Sequence, residues 1–217
     1  MKAEIGTKPR LDALKDTSEI MVPPGELGAV LELVVRNKDG EITNRQELLS
    51  KSFLKGFMQL WWVMSTFVYG GGQGKWVRDK DGDYRWAITH SQNFNANAST
   101  GQTDRGILVG TGTTAPTIDD YQLEAQIAEG TGVGQMQHSA VTFGAPTSDG
   151  TISHFTVTRD FSNYSGGSIT VREVGLQVYF NFLPGSNEYL LILRDAVNID
   201  IPNGETLTVN YRVQATA

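Results

Sequence analysis

From about residue 135 to the C-terminus, short alternating stretches are punctuated by turn-forming clusters. These are Gly144-Ala145-Pro146, Ser165-Gly166-Gly167, Pro184-Gly185-Ser186-Asn187 and Pro202-Asn203-Gly204. Between them Ile152, His154, Thr156 and Thr158 alternate with Ser153, Phe155, Val157 and Arg159, and Leu207, Val209, Tyr211 and Val213 repeat the pattern. A period of two belongs to a strand whose side chains point in turn to opposite faces. Strands this short, joined by turn chemistry with no room for crossover helices, pair antiparallel and stack as a sandwich. The pattern predicts strands near 135–144, 151–161, 168–182, 188–194 and 205–215, with Gly106–Gly110 as a short buried strand.

The first half adds two hairpins, a helix and an arm. Val30 to Arg36 and Glu41 to Glu47 flank the turn Lys38-Asp39-Gly40, and Lys75 to Arg78 and Tyr84 to Thr89 flank Asp81-Gly82. Between these hairpins, Phe53, Leu54, Phe57, Met58, Leu60, Trp61, Met64, Phe67 and Val68 recur at steps of three and four. That spacing predicts an amphipathic helix over about residues 50–68, with Ser50 as its N-cap and Gly70-Gly71-Gly72 as its stop. Asn93 to Asp104 reads as a polar loop, and Thr117 to Ile127 as a segment holding a turn of helix. In residues 1–28, charged and polar side chains dominate up to Glu19, and Met21-Val22-Pro23-Pro24-Gly25 follows, whose two prolines cannot join a helix interior or a central strand. These residues read as an extended arm, one that orders more readily against another surface than alone. The expected fold is therefore mainly β: an antiparallel β-sandwich domain over 29–217 with one embedded helix, preceded by an arm over 1–28.

Composition removes most chemistry. The 217 residues include no cysteine, so disulfides, thiolate metal sites and a cysteine nucleophile are excluded. His90, His138 and His154 are the only histidines and are far apart in sequence. A net charge of −6 with no basic run argues against nucleic-acid binding. No apolar run reaches the roughly 18 residues of a membrane span, and the first residues lack the apolar core of a signal peptide. No membrane or nucleic-acid partner is expected.

Two motifs imitate ligand sites. Gly110-Thr111-Gly112-Thr113-Thr114-Ala115 follows an apolar run as a dinucleotide-binding G-x-G-x-x-A does, yet Pro116 follows at once and no βαβ unit is apparent. It reads as a loop leaving a strand. Asp79-Lys80-Asp81-Gly82-Asp83 imitates the start of a calcium loop, but its glycine is at the fourth place, not the sixth, and the twelfth is His90. It reads as a charged hairpin tip. No nucleophile elbow or metal-ligating histidine pair is present. Asp195 and Glu173 are candidate carboxylates only in a generic sense; each adjoins an arginine, Arg194 or Arg172, which a strand turns to the opposite face. No catalytic, cofactor or metal residue is predicted, and no enzyme.

Aromatic residues offer the remaining surface. Trp61 continues the helical stripe and is expected in the core. Trp62 at its edge, with Trp76 and Trp86 in the second hairpin and Met21 and Val22 in the arm, form the candidate interface.

The order of motifs resembles tailed-bacteriophage virion proteins of tail, baseplate, fibre or capsid-accessory type. It runs Gly110-Thr-Gly-Thr-Thr-Ala-Pro116-Thr-Ile-Asp-Asp-Tyr-Gln-Leu123, then Arg172-Glu-Val-Gly-Leu176, Leu190-Leu-Ile-Leu-Arg-Asp195 and Gly204-Glu-Thr-Leu-Thr-Val-Asn-Tyr-Arg-Val213. Lys38-Asp-Gly40 followed by Ser50-Lys-Ser-Phe-Leu-Lys-Gly-Phe57 is similar to the hairpin and helix that often precede that module. The resemblance covers roughly residues 30 to 215. It implies a virion structural protein made in the host cytoplasm, partnered by other virion proteins and by copies of itself as a homo-oligomer. The alternative is a virion-exposed receptor- or carbohydrate-binding module built on Trp62, Trp76, Trp86 and the Asn93–Thr103 loop.

Overall fold

The computed structural model describes residues 20–50, 53–66, 75–89, 93–181 and 187–217. The arm before Ile20, the glycine run at 70–72, His90 and the turn at 184–186 lie outside the described residues. In chain order the elements are β1 (Leu27–Arg36), β2 (Ile42–Ser50), α1 (Lys55–Ser65), β3 (Lys75–Arg78), β4 (Tyr84–Ala87), β5 (Gly106–Gly110) and β6 (Gln137–His138). They continue with β7 (Thr142–Phe143), β8 (Thr147–Ser148), β9 (Ile152–Ser162), β10 (Ile169–Asn181), β11 (Asn187–Ile201) and β12 (Thr206–Thr216).

The architecture is the expected antiparallel sandwich. One sheet has the order β2-β1-β12-β9, with β6, β7 and β8 pairing along the far edge of β9. The facing sheet has the order β11-β10-β5, and β3-β4 forms a separate ribbon. Ala29, Leu31, Leu33 and Val35 of β1 and Leu207, Val209 and Tyr211 of β12 point inward and meet Ile107, Val109, Val174, Leu176, Val178 and Phe180 of the smaller sheet. This shared apolar layer is what the period of two was made to fill.

The smaller sheet is covered on its outer face as well. Leu108 and Leu191 pack there with Leu54 and Leu123, a second small core. Burial on both faces explains why β5 reads as an unbroken apolar run rather than an alternating one. The cover includes the loop that follows β5, and that loop carries the Gly-Thr-rich motif.

Several local expectations are corrected. The helix starts at Lys55, not Ser50; Leu54 is its N-cap and gives no side-chain cap bond. Ser50 ends β2, and its hydroxyl donates to Asp195 Oδ2 at 2.7 Å, so the tertiary partner claims the group that a cap would use. Residues 117–127 contain a turn and no helix: the Asp120 carboxylate folds back to accept from the Thr117 amide at 2.9 Å and its hydroxyl at 2.7 Å. The expected strand at 135–144 is reduced to the two short pairings of β6 and β7, while β11 runs on to Ile201.

Trp61 is corrected too. The helix buries Gly56, Leu60 and Val63, but Trp61 is 46% exposed. The apolar stripe is wider than the one face that the sheet covers. Gly175 meets the expectation of a close approach, since a Cβ there would stand 2.9 Å from Leu191 Cδ1 and 3.1 Å from the Leu193 carbonyl.

Candidate functional site

The motif residues converge on one buried polar chain. Glu173 Oε1 accepts from the amides of Gly112 (3.1 Å) and Ala125 (2.8 Å), and Oε2 from the amide of Glu124 (3.0 Å). The Arg194 Nη2 lies 2.9 Å from Oε2, with the arginine and glutamate side chains 3% and 2% exposed. The same guanidinium reaches Asp120 Oδ2 through Nη1 at 2.6 Å and the Thr114 hydroxyl through Nη2 at 3.1 Å. Glu124 closes the loop by accepting from the Thr113 and Thr114 amides at 2.6 and 2.8 Å.

Arg194 and Asp195 are adjacent on β11 and point to opposite faces, as a strand requires. Asp195 therefore faces the sandwich interior, where Tyr211 Oη donates to it at 2.9 Å. Burial, and then the Asp195 charge, push the Tyr211 phenol well above its ordinary range. The hydrogen bonds of Thr114 hold the exposed Glu124 below the usual carboxylate range. Burial raises the Asp120 carboxyl, but Thr117 and Arg194 outweigh that and hold it low.

Every named oxygen of Glu173 and every nitrogen of Arg194 is committed to backbone or to a charged partner. The arrangement fixes a loop to a sheet; of its carboxyls Glu173 is buried, while Asp120 reaches the wall of a polar cleft and Glu124 is exposed. The two glycines of the motif serve this packing: a Cβ on Gly110 would collide with Glu173, and one on Gly112 would lie 2.5 Å from both Glu124 Cβ and Glu173 Oε1. Gly112→Ala is accordingly expected to destabilise the fold by about 1–3 kcal/mol, the usual range for overpacking. Chemical denaturation checks this; an unchanged midpoint contradicts it.

The hairpin tip is similarly self-contained. Asp79 is fully buried, and its Oδ1 accepts from the amides of Asp81 (3.0 Å) and Asp83 (2.8 Å). Its Oδ2 accepts from Arg85 Nε at 2.8 Å. Asp79, Asp81 and Glu188 present oxygens within 4.8 Å of one another, and burial raises the Glu188 carboxyl above its ordinary range. The Asp79 bonds close the β3–β4 turn, and the Lys80 amide, donating to the Tyr189 carbonyl at 3.0 Å, joins it to β11.

The aromatic candidates partly gather. Trp76 and Trp86 face each other across the β3–β4 ribbon, ring centroids 5.3 Å apart and edge to face. Lys75 Nζ sits 5.8 Å over the Trp62 ring and Gln59 Nε2 donates to the Trp76 carbonyl at 3.3 Å, which ties the ribbon to the helix. Trp62 and Trp76 are exposed and Trp86 is half-buried. Beyond Trp86, Tyr84 and Arg78 lead into a polar cleft of about 310 Å3 with Lys55, Gln59, Asp119, Asp120 and Tyr121 in its walls. In the arm, Met21 is exposed, whereas Val22 is 1% exposed and packs on Gly28. Val22 belongs to the chain's own core surface and is withdrawn as an interface residue.

A further unfilled feature has no signal in the sequence. At the end of the sandwich where β1 and β9 begin, the two sheets part and leave an open mouth of about 380 Å3 lined only by apolar side chains. Leu27, Trp61, Phe143 and Phe155 stand at it, and Phe53 and Phe57 form its helix side. Phe143 is 49% and Phe155 36% exposed. Phe94, with a left-handed φ of 66°, brings its ring 5.7 Å from that of Phe57. A bulky residue in that conformation is uncommon and costs about 1–2 kcal/mol. Phe155 already alternates with His154 in the sequence, but nothing there says that its face runs out of partners. Among the described residues no helix is long and apolar enough to cross a membrane. Compared with protein families, curated proteins and solved structures, the chain matches none.

Proposed function

We propose that the chain is a structural component of a tailed-bacteriophage virion, a tail, baseplate or capsid-accessory protein, that acts by protein–protein assembly and carries no reaction. The observation that carries this reading is the apolar mouth. Monomeric proteins rarely leave a contiguous apolar patch larger than a few hundred Å2 open to water, and Leu27, Trp61, Phe143 and Phe155, each more than a third exposed, extend the apolar lining of the mouth onto the surface. The fate of the motif residues supports it further. Gly112, Asp120, Glu173, Arg194, Asp195 and Tyr211 are consumed in holding a loop and two sheets together. A motif order that specifies a scaffold is what a shared virion module needs.

Fractionation of particles from a phage-producing culture tests the reading. The chain is expected to copurify with particles at fixed stoichiometry, and Phe143→Ser/Phe155→Ser to fold but drop out of them. Recovery of the wild-type chain only as free protein contradicts it.

A second reading, a carbohydrate- or receptor-binding module, draws on the Trp62, Trp76 and Trp86 ribbon beside its polar cleft, since exposed rings offer stacking faces to sugars. A glycan array is expected to give signal that Trp76→Ala abolishes if this surface binds sugars. An array blank for the wild-type chain removes the second reading and leaves the first untouched.

A further inference from the structure

Residues 20–25 lie on the outer face of the larger sheet, whereas the mouth opens on its inner face. In β1 the residues Ala29, Leu31 and Leu33 face the core, so Gly28 faces outward. Val22 packs there, its methyl carbons 2.8 and 3.0 Å from where a Gly28 Cβ would stand. The Gly25 amide donates to the Thr216 carbonyl at 2.7 Å, and further back the Ile20 carbonyl accepts from Arg212 Nη2 at 2.9 Å. Arg212 also faces outward, because Tyr211 and Val213 on either side of it face the core and the mouth. From Gly25 back to Ile20 the chain thus lies on the outer face of the larger sheet, while Leu27, one residue before Gly28, points into the mouth.

Nineteen residues precede Ile20. Fully extended, they reach up to ~60 Å, enough to cross to a neighbouring molecule. Lys2, Lys8, Arg10 and Lys15 balance Glu4, Asp12, Asp16 and Glu19, so the segment has no net side-chain charge. Its apolar residues are few, and beyond Ile5 they form one group, Leu11, Ala13 and Leu14, in which the two leucines are the large side chains. The mouth has no charged side chain in its lining and takes apolar knobs rather than charge. The uncharged apolar socket matches the two leucine side chains, and an arm joined to the outer face is long enough to bring them to the mouth of a second copy.

We infer that the mouth of one copy receives Leu11 and Leu14 from the N-terminal arm of a second copy. The inference rests on the assembly reading and names its partner. The contact is heterologous, arm of one molecule to mouth of the next, so repetition closes a ring or extends a filament rather than stopping at a two-fold dimer.

The test uses two full-length variants and sedimentation across a concentration series. The arm variant Leu11→Ser/Leu14→Ser keeps its mouth, and the mouth variant Phe143→Ser/Phe155→Ser keeps its arm. Each alone is expected to self-associate on the order of a hundredfold more weakly than wild type, from the loss of two buried apolar side chains. Mixed, they are expected to form a two-chain complex that grows no further, since one arm–mouth pair remains intact. Wild-type association is expected to change less than about twofold between about 0.1 M and about 1 M salt, as suits an uncharged contact. Circular dichroism of both variants confirms that folding is retained.

An arm variant that associates like wild type overturns the inference while leaving the assembly reading in place, because copies then meet through another surface. A mixture that stays monomeric overturns it as well. A wild-type chain that is monomeric at every concentration also overturns it; the assembly reading falls only if the chain is absent from particles too.

Discussion

Arg194→Ala is expected to destabilise the protein by about 3–5 kcal/mol, the range for removing one partner of a buried ion pair. Deleting the guanidinium leaves the Glu173 carboxylate, 1% exposed, with backbone amides but no compensating charge. It also strips Asp120 and Thr114 of their shared donor. The damage is directional: the loop from Gly112 to Ala125 is held by these bonds and covers Leu108 and Leu191 through Leu123. Hydrogen exchange is therefore expected to accelerate first at the amides of Gly112, Glu124 and Ala125. Arg194→Lys restores charge but not the fork that reaches Glu173, Asp120 and Thr114 together, and is expected to recover only part of the loss. A full recovery by lysine, or an alanine variant within 1 kcal/mol of wild type on an order-of-magnitude scale, contradicts a framework role.

Acid is expected to lower the stability of the protein in two steps, the first of them governed by His138. This side chain is 1% exposed, packs edge to face on Phe161 at 5.0 Å, and has no partner for either ring nitrogen among the described residues. Burial, reinforced by the nearby Arg159 charge, pulls its pKa from 6.5 down to about 4. The unfolded chain thus takes up the proton at higher pH than the folded one. Stability from the neutral imidazole is complete above about pH 6.5, declines as the pH falls towards 4, and is constant below that. The loss over this window amounts to about 3 kcal/mol. Asp120 and Glu124, whose folded pKa values are depressed, add a second loss at lower pH as they take up protons. Stability curves between pH 4 and 7 check the first stage. His138→Phe keeps an aromatic ring beside Phe161 and removes the titration, so its curve is expected to be flat where the wild type falls. Parallel curves contradict the assignment.

What was legible in the sequence follows from what is local. The period of two in 152–159 and 207–213 fixes which residues face the core, and the turn clusters fix where strands stop, because both depend on neighbours in the chain. The apolar run of β5 also carries its meaning on its face. The helix start was illegible for the opposite reason: Ser50 looks like a cap until Asp195, 145 positions away, takes its hydroxyl. Strand geometry separates Arg194 from Asp195 correctly, yet it cannot supply the partner of Arg194. That depends on the β10–β11 register, which shifts between Val171 and Glu173 and again between Leu176 and Gln177. Trp61 was misplaced because periodicity counts apolar residues without saying how much of a helix face the sheet will cover. The mouth was invisible because its walls come from both sheets, the helix and the Phe94 loop, and only folding brings them together.

Concentration-dependent sedimentation of the wild-type chain beside Phe143→Ser/Phe155→Ser tests most directly whether the apolar mouth exists for assembly. Tyr164→Ser, which removes another exposed ring away from the mouth, serves as the control. The wild type and the control are expected to self-associate alike, and the mouth variant to sediment as a folded monomer over the same range. A mouth variant that associates as strongly as the wild type contradicts the account.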